Sequence, residues 1–392
     1  MTSTKAIPIV NLGDVVNFEG GGTPSKANDA YWDGTIPWAS VKDISGPELS
    51  STIDHITEEG LANSASRLVP AGNVILPTRM ALGRAAINTV DVAINQDLRV
   101  AYPHKNLDRR YLLWFIISNA RLIESLGSGA TVKGITLDKL RNLQIPLPPL
   151  AEQKRIAAIL DKADGIRRKL QQSLRLADDF LRSVFLDMFG DPVTNPNGWD
   201  TVKLQDAVKE GTIVTYGIVQ AGPEFPEGVP YIRTGDIVNG VIKLDGLRRT
   251  DPSIAKKFDR SKMRTGEIVM SIRATVGTTA VVTADLDGAN LTQGTARISP
   301  GENTLLPFLL YYLRSEGVQG WIQKQVKGAT FAEITLSRLR ELPVLIPPIA
   351  NQKRFSAAHE KLEKVKAAQQ KQLFDSSNLF SSLQQRAFRG EL

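Results

Sequence analysis

The feature that most constrains the fold of this 392-residue chain is an internal duplication. The segment GATVKGITLDKLRNLQIPLPPLAEQKRI at 129–156 aligns without a gap to GATFAEITLSRLRELPVLIPPIANQKRF at 328–355. Two shorter pairs precede these segments in the same order, namely IPWASVKDI at 36–44 with VPYIRTGDI at 229–237, and RMALG at 79–83 with RATVG at 273–277. Solenoid repeats are only roughly 20–50 residues long. Each copy here must therefore contain a complete domain and a connecting element.

Each copy combines short strand-like runs with helical patterns. Apolar runs lie between Gly, Pro and Asn turns, while helical patterns lie near 107–126 and 307–323. In both copies a Pro pair then precedes a long segment without proline, which indicates the start of a helix. The sequence therefore predicts a first domain at 1–150, a central helix at 151–189, a second domain at 190–349 and a distal helix at 350–392.

Both long helices carry apolar residues in steps of three and four, a heptad pattern typical of coiled coils. The seam positions that we predict to form the coiled coil or to dock partners are Ile156, Leu160, Leu170, Leu174, Leu181, Phe355, Leu362, Val365, Leu379 and Leu383. Since the first helix leads to the second domain and the second helix leaves it, packing the two seams together requires antiparallel helices. The predicted fold is therefore α+β, with two repeated mixed α/β domains joined by a long antiparallel coiled coil in approximate two-fold symmetry.

Composition is ordinary for a globular protein and gives weak evidence about a partner. The hydrophobic and charged fractions are 42% and 23%. The longest apolar run, YLLWFII at 111–117, is too short to span a bilayer, so we expect a cytoplasmic protein without a membrane partner. The net charge of +7 is compatible with nucleic-acid binding. Residues 1–150 nevertheless carry 14 basic and 14 acidic residues, so phosphate contacts there would need local clustering.

The sequence lacks the motifs of enzymes that act on DNA. It has no G-x-x-x-x-G-K-[ST] phosphate loop, and NPNG at 195–198 is not the Asn-Pro-Pro-aromatic motif of amino methyltransferases. The chain has no cysteine, and its three histidines show no metal-ligand spacing, so we predict no metal site. Two classes remain open from the residues alone. One is a protein that reads DNA with both domains, and the other is a two-headed adaptor that binds two protein partners without reading DNA.

Several further motifs resemble one known family and fall in that family's order. PPLAEQKRI at 148–156, PPIANQKRF at 347–355, FLDMFGDPVTNPNGW at 185–199 and AFRGEL at 387–392 resemble motifs of the specificity (S) subunit of type I restriction-modification enzymes. GGTPSKANDAYWDGTIPWASVKDI at 21–44 is similar to the start of a target recognition domain in that family. The resemblance extends over the whole chain.

The resemblance implies that each globular domain is a target recognition domain that reads one half of a split, asymmetric site in double-stranded DNA. It also implies that two modification (methyltransferase) subunits dock on the helices, and that restriction subunits complete a nuclease. S-adenosylmethionine would belong to the modification subunits, and ATP and magnesium to the restriction subunits. We therefore expect no cofactor and no catalytic residue in this chain. A 39-residue helix spans about 58 Å, so the helices could set a gap of up to about 17 base pairs.

Basic residues are the predicted DNA contacts, and two of them, Arg79 and Arg273, lie at repeated positions. Arginine can read base edges with two donors, while lysine mostly contacts phosphates. The candidates are Lys42, Arg79, Arg84, Lys133, Arg233, Arg248, Arg249, Lys256, Lys257, Arg273 and Lys327. Arg79 and Arg273 each follow an apolar run and precede a turn glycine, which places a guanidinium at a strand end, for DNA or for a structural ion pair. The segment RRTDPSIAKKFDRSKMR at 248–264 has seven basic residues against two aspartates, either as a DNA-contacting patch or as a solvated surface.

Overall fold

A computed structural model describes residues 7–129, 131–328 and 332–392 of the chain. The chain divides into two compact units, the first formed by Met1–Gln171 with Lys371–Leu392 and the second by Gln172–Gln370. No helix within the described ranges is long and apolar enough to cross a membrane. In the same ranges, no three His, Cys, Asp or Glu side chains are grouped as a metal site would require.

The first unit is built from short strands and a buried helix. Its strands are β1 Ile9–Asn11, β2 Val16–Gly20, β3 Trp32–Ala39, β4 Glu48–Leu49, β5 Asp54–Ile56, β6 Arg67–Val69, β7 Val74–Pro77, β8 Ala86–Asn88, β9 Val92–Ile94, β10 Leu98–Pro103 and β11 Gln144–Pro146. Its helices are α1 Glu58–Ala62, α2 Arg109–Ser118, α3 Ala120–Leu126, α4 Leu137–Arg141 and the start of α5 Leu150–Phe189. One sheet has the order β2-β10-β7-β8-β4, a second has the order β5-β3-β9-β6, and β1 pairs with β11.

The second unit repeats this arrangement. Its strands are β12 Asp200–Lys203, β13 Thr215–Tyr216, β14 Val229–Ile232, β15 Ile237–Val238, β16 Val241–Ile242, β17 Arg249–Thr250, β18 Ile268–Ser271, β19 Thr279–Val281, β20 Asn290–Leu291, β21 Thr295–Ile298 and β22 Pro343–Ile346. Its helices are α6 Leu204–Ala207, α7 Pro252–Lys257, α8 Leu306–Arg314, α9 Glu316–Gln325, α10 Leu336–Arg340 and the start of α11 Ile349–Ala387. The sheets have the orders β13-β21-β18-β19 and β17-β14-β20, while β12 pairs with β22 and β15 with β16.

The strand pairing establishes that the two units are copies of one mixed α/β domain. In the first unit β7 pairs with β10 so that Pro77 faces Leu98, and in the second β18 pairs with β21 so that Ser271 faces Thr295. Each unit also has a parallel pair at the equivalent place, β3 with β9 and β14 with β20, and the first unit has a second parallel pair, β4 with β8, in otherwise antiparallel sheets. The predicted duplication of mixed α/β domains is therefore confirmed.

Each unit has its core around one helix that is apolar on all sides. Positions 111–116 of α2 and 308–313 of α8 are buried without interruption, as expected for helices enclosed by protein. Asp108 caps α2 by accepting hydrogen bonds from the backbone N–H groups of Arg110 and Tyr111. α2 lies within the region predicted near 107–126, and α8 begins one residue before the region predicted near 307–323.

In the first unit, the start of α5 packs against the end of α11. Ile156 and Leu160 are buried in the same core as Phe380 and Ala387, and Leu383 packs against that core. The Phe380 ring also contacts Trp114 of α2, with ring centroids 5.5 Å apart. Within this unit the two helices therefore run in opposite directions.

In the second unit, the end of α5 packs against the start of α11. Leu181, Phe185 and Phe355 share one core, with Leu362 packed against it. Outside the core, Lys366 Nζ lies 2.7 Å from Asp178 Oδ1. The antiparallel pairing predicted from chain direction is thus present in each unit, and α5 and α11 begin one residue before the predicted helix starts.

The heptad phase of α11 differs from the predicted one. Val365 and Leu379 are 49% and 58% exposed, although the sequence placed them in the seam. The neighbouring residues Lys366 and Phe380 turn inward instead, Lys366 because Asp178 neutralises it and Phe380 because it fills the core of the first unit. At both points the interval from the preceding seam residue is four residues, whereas the sequence predicted an interval of three. Leu170 and Leu174 of α5 are half-buried.

Candidate nucleic-acid interface

In both units two parallel strands end side by side, and their carboxyl ends form a common edge. The strands β3 and β9 end together at Ala39 and Ile94, and β14 and β20 end together at Ile232 and Leu291. In the first unit the next strand, β10, starts opposite the end of β7. In the second unit β21 starts opposite the end of β18. We call this place the strand-end edge, formed by residues 78–80 and 95–97 in the first unit, and by residues 272–274 and 292–294 in the second.

Backbone contacts hold this edge tightly in both copies. The N–H of Thr78 donates to the carbonyl of Asp97 at 2.8 Å, and the N–H of Ile272 donates to the carbonyl of Gly294 at 2.9 Å. Gly21 and Gly217 pass so close to the strand that a Cβ would lie 1.9 Å from Ile94 O and 2.0 Å from Leu291 O. Only glycine allows this approach.

The repeated arginines lie on the strand-end edge. Arg79 has a side chain that is 65% exposed, with Nη1 3.7 Å from Asp97 Oδ1. Arg273 is 41% exposed, with Nη2 3.0 Å from Glu333 Oε1. Each guanidinium therefore has an acidic neighbour and an open face. Exposed ion pairs contribute at most about 1 kcal/mol, so a phosphate or a base could replace the acidic neighbour at little cost.

The residue after each arginine has a left-handed backbone. The φ angles are 65° at Met80 and 58° at Ala274, a conformation that costs about 1–3 kcal/mol in residues other than glycine. The N–H of Met80 donates to the carbonyl of Lys133, and the N–H of Ala274 donates to the carbonyl of Ala332, both at 2.9 Å. Both copies keep this strained turn beside the arginine, which is typical of functional sites.

The candidate lysines around the GAT turns, Lys133 and Lys327, lie near the arginines. Lys133 is exposed and shares the backbone contact with Met80. Lys327 is exposed and pairs with Glu333 in a short bridge that also includes Arg273. The structure therefore brings each lysine to the strand-end edge. The GAT turns beside them include residues 130 and 329–330, which lie outside the described residues.

Lys42 lies in the loop that follows β3, and Arg84 contacts the same loop. Lys42 is exposed in a single turn of 3-10 helix at positions 41–43, which Ser40 caps. Arg84 is also exposed, and its Nη1 donates to the carbonyl of Ile44 at 3.2 Å. Both remain candidates for phosphate contact on the first unit.

Arg233 follows β14 in the second unit, but its guanidinium is already hydrogen-bonded within the protein. Its Nε and Nη2 donate to the two carboxylate oxygens of Asp236 at 3.0 and 2.7 Å. The hydrogen bond to Asp236 raises the pKa of Arg233. This paired arrangement supports the turn after β14 and competes with the predicted phosphate contact, which stays a prediction.

The basic segment of the second unit spans β17 and α7. Arg248 and Arg249 are exposed, and Arg249 Nη1 donates to the carbonyl of Gly228 at 2.9 Å. Lys256 and Lys257 are exposed in the last turn of α7, where cations are favoured by the helix dipole. These four exposed residues give the segment a cationic surface suited to a polyanion.

The paired helices also expose apolar side chains at repeated positions. Ile166 of α5 and Leu379 of α11 are exposed in the first unit, and Phe180 of α5 and Val365 of α11 are exposed in the second. The ungapped repeat that begins the two helices at 150 and 349 aligns 166 with 365 and 180 with 379. The same two surface positions are therefore apolar in both copies.

These apolar residues lie on one side of each helix pair. Arg167 Cζ lies 5.6 Å from the centroid of the Phe380 ring across the seam. Ile166 and Leu379 each precede one member of this contact. In an antiparallel pair, the residues that precede two facing seam residues point to the same side of the helix pair. Ile166 and Leu379 therefore lie on the same side of the seam. We call Ile166 with Leu379, and Phe180 with Val365, the coil-face pairs.

Comparison with known proteins connects these features to one family. A sequence profile described as the type I restriction modification DNA specificity domain matches residues 7–176 and residues 196–373. The chain belongs to this family. The two matches correspond to the two copies of the duplication, so the chain carries two DNA specificity domains.

Relatives in the DNA specificity domain family are named as specificity subunits of type I restriction enzymes. The EcoBI specificity subunit of Escherichia coli is 28% identical over 68% of this chain and 62% of its own length. The alignment thus spans less than two thirds of that relative. The MjaIX specificity subunit of Methanocaldococcus jannaschii is 23% identical over 98% of this chain and 93% of the relative.

A solved structure in the DNA specificity domain family has the same fold. The crystal structure of the type I restriction-modification S subunit from M. genitalium superimposes with a TM-score of 0.58 at 14% identity. It covers 99% of this chain and 98% of the other. This likeness agrees with the predicted α+β fold of two domains and long helices.

The sites predicted from the sequence include neither the glutamines on the strand-end edge nor the α5 residue of each coil-face pair. Gln96 and Gln293 lie in the connections before β10 and β21, and the signal for them is the shared glutamine in NQD and TQG. Phe180 was absent from the candidate residues, and the heptad steps of α5 placed Ile166 in the seam, although the structure leaves it 48% exposed. Alignment of the two helices reveals them, because each has an exposed apolar counterpart in the other copy.

Proposed function

We propose that this chain is the DNA sequence-specificity subunit of a type I restriction-modification complex. Each globular domain reads one half of a bipartite, asymmetric site in double-stranded DNA, and the helices set the gap between the halves. The observation that carries the proposal is the strand-end edge, where an arginine beside a strained turn is built twice in a chain of the DNA specificity domain family.

The chemistry of the complex belongs to its partners. Two modification subunits would dock on the helices and supply S-adenosylmethionine for DNA methylation. Restriction subunits, where they exist, would supply the ATP- and magnesium-dependent cleavage. This chain then contributes binding energy and orientation only, in the cytoplasm, and has no catalytic residue. The absence of phosphate-loop and methyltransferase motifs from the sequence supports this division of labour.

Exchange of one domain tests the proposal directly. Residues 192–349 are replaced by the corresponding segment of a relative, and the full chain is co-purified with the modification subunit. Duplexes retained from a randomised library are then sequenced. We expect the parent to select a bipartite motif and the exchanged chain to change one half of that motif only, because each domain has its own edge. Retention of no DNA by the parent complex would favour the two-headed adaptor, and a change in both halves would refute independent reading.

The coil-face pairs are the proposed docking sites for the two modification subunits. Each pair places two large apolar side chains in solvent on one side of the helix pair, and such exposure is typical of protein interfaces. Two copies of one partner explain why the same two positions are apolar in both copies. A single partner would need only one of them.

Charge substitution in one pair should remove one partner. We expect Phe180→Asp combined with Val365→Asp to reduce the complex from two modification subunits to one, since each new carboxylate would have to be buried unpaired. The mass of complexes purified through a tag on this chain measures the change. Leu176→Asp is the matched control, because Leu176 is equally exposed but aligns with Asp375 in the other copy. Two bound subunits in the double variant would contradict the assignment.

A further inference from the structure

Gln96 and Gln293 occupy the same place in the two units. Leu98 faces Pro77 across β10 and β7, and Thr295 faces Ser271 across β21 and β18. Each glutamine lies two residues before the first residue of its strand. The strand register therefore aligns the two glutamines, although loop lengths differ between the copies.

The backbone around Gln96 is fixed by several hydrogen bonds. The N–H of Asn95 donates to the carbonyl of Ala39 at 3.0 Å, and the Asn95 side chain accepts from the N–H of Asp97 at 3.0 Å. The N–H of Leu98 closes the turn on the carbonyl of Asn95 at 3.3 Å. Gln96 is thus the exposed residue of a rigid turn between two ordered strands.

The backbone around Gln293 is fixed in a corresponding way. Its own N–H donates to the carbonyl of Ile218 at 2.9 Å, and the N–H of Thr295 donates to the carbonyl of Thr292 at 3.2 Å. Gly294, the next residue, packs against Thr234, whose hydroxyl donates to its carbonyl at 3.2 Å. Because the backbone is already ordered, a ligand would have to fix only the rotamers of the side chain.

A shared structural bond does not explain the two glutamines. Gln96 Oε1 accepts a hydrogen bond from the hydroxyl of Thr23. The close approach of Gly21 and Gly217 aligns Thr23 with Val219, which has no hydroxyl to donate. Within residues 7–129, 131–328 and 332–392, the side-chain amide of Gln293 makes no hydrogen bond to the protein. The glutamine is kept in both copies while its protein partner is not.

The chemistry of the glutamine amide matches one base. The amide presents a donor and an acceptor side by side, and it pairs with N7 and the N6 amino group of adenine in the major groove. Each glutamine lies on the strand-end edge together with Arg79 or Arg273, which have donors suited to guanine or phosphate. We propose that Gln96 and Gln293 each read an adenine, one in each half of the DNA site. This inference rests on the proposed function and adds the residue that specifies a base.

Alanine substitution of each glutamine tests the inference in the full complex. Gln96→Ala and Gln293→Ala chains are co-purified with the modification subunit, and the base preferences of retained duplexes are measured by sequencing. We expect Gln96→Ala to lose adenine preference at one position of one half-site, and Gln293→Ala at one position of the other. Discrimination at that position should fall about ten-fold, while the other positions keep their preferences.

Exposed glutamines away from the edge provide matched controls. Gln144→Ala in the first unit and Gln205→Ala in the second should leave every base preference unchanged. Unchanged preferences in Gln96→Ala and Gln293→Ala, with a parent that still selects a bipartite motif, would overturn the inference and leave the proposed function intact. An equal loss of affinity for all sequences would also overturn it, since that is the signature of a phosphate contact or a structural role. A parent that selects no sequence would refute the proposed function itself.

Discussion

Phe355→Ala is expected to lower the free energy of unfolding of the second unit by about 3–5 kcal/mol. Phe355 is completely buried at the start of α11. Its ring lies against Phe185 and Phe189 of α5 and Tyr311 of α8, with centroid separations of 5.6, 5.7 and 5.3 Å. Removal of this ring leaves a cavity at the junction of three helices, none of which can move without disturbing the others. The transfer and cavity costs therefore add.

Native-state hydrogen exchange of the full chain measures this loss, because it reports the two units separately. The slowest amides of α8 should lose protection by about two to four powers of ten. Phe374→Ala is the control on the same helix, since that ring is 66% exposed. Its effect should stay within about 0.5 kcal/mol. Similar losses in the two variants would contradict a special role for the buried Phe355 ring, since alanine has the higher helix propensity and propensity cannot explain a loss at either position.

The duplication and the helices were predictable from the sequence because the duplication appears as similarity within the chain and each helix appears as a local pattern. Two ungapped segments define the copies at 129–156 and 328–355, and the Pro pairs precede both long helices. Chain direction alone then requires antiparallel pairing. Strand bounds are short and irregular, and no periodic pattern in the sequence fixes which strands become neighbours.

The phase of α11 could not be read from its sequence because a charged residue occupies the seam. Burial would lower the pKa of Lys366, but the hydrogen bonds to Asp178 and Glu363 outweigh this effect and raise the pKa. The partner Asp178 lies on the other helix, 188 positions earlier in the chain. Sequence periodicity assigned the seam to the apolar neighbour Val365, which the structure leaves in solvent.

The strand-end edge was predictable only in part. The repeated Arg79 and Arg273 could be found because the short similar motifs RMALG and RATVG contain them. Gln96 and Gln293 could not be aligned with certainty, since the connection from arginine to glutamine is longer in the second copy. The strand register supplied the alignment, because hydrogen bonding across a sheet fixes pairs independently of loop length.

Gln153 and Gln352 explain why the chain contains PPLAEQKRI and PPIANQKRF. Both side chains are completely buried. Gln153 Nε2 donates to the carbonyls of Asn106 and Pro148 at 2.9 and 2.8 Å, and its Oε1 accepts from the N–H of Asp108 at 2.8 Å. Each of these bonds joins the first turn of α5 to a neighbouring loop. The glutamine therefore ties the long helix to the segment that starts α2.

Gln352 makes the same three bonds in the second unit. Its Nε2 donates to the carbonyls of Asn303 and Pro347, and its Oε1 accepts from the N–H of Leu305, all at 2.9 Å. Leu305 precedes α8 and has no side-chain cap of its own, so the glutamine takes over part of the capping. The repeated motif thus encodes one joint between helix and domain.

Gln352→Met should therefore lower the free energy of unfolding of the second unit by at least about 3 kcal/mol, since three buried backbone groups would lose their partners at about 1–3 kcal/mol each. Methionine keeps the length of the side chain and its helix propensity, so the loss reports the hydrogen bonds. Hydrogen exchange should accelerate in α8 and in the first turn of α11, while Gln370→Met, at an exposed position, should change little. Gln352→Glu should be as harmful as Gln352→Met at neutral pH, because a carboxylate can donate to neither carbonyl. Full stability in either variant would mean that water replaces the amide and that the joint depends on apolar packing alone.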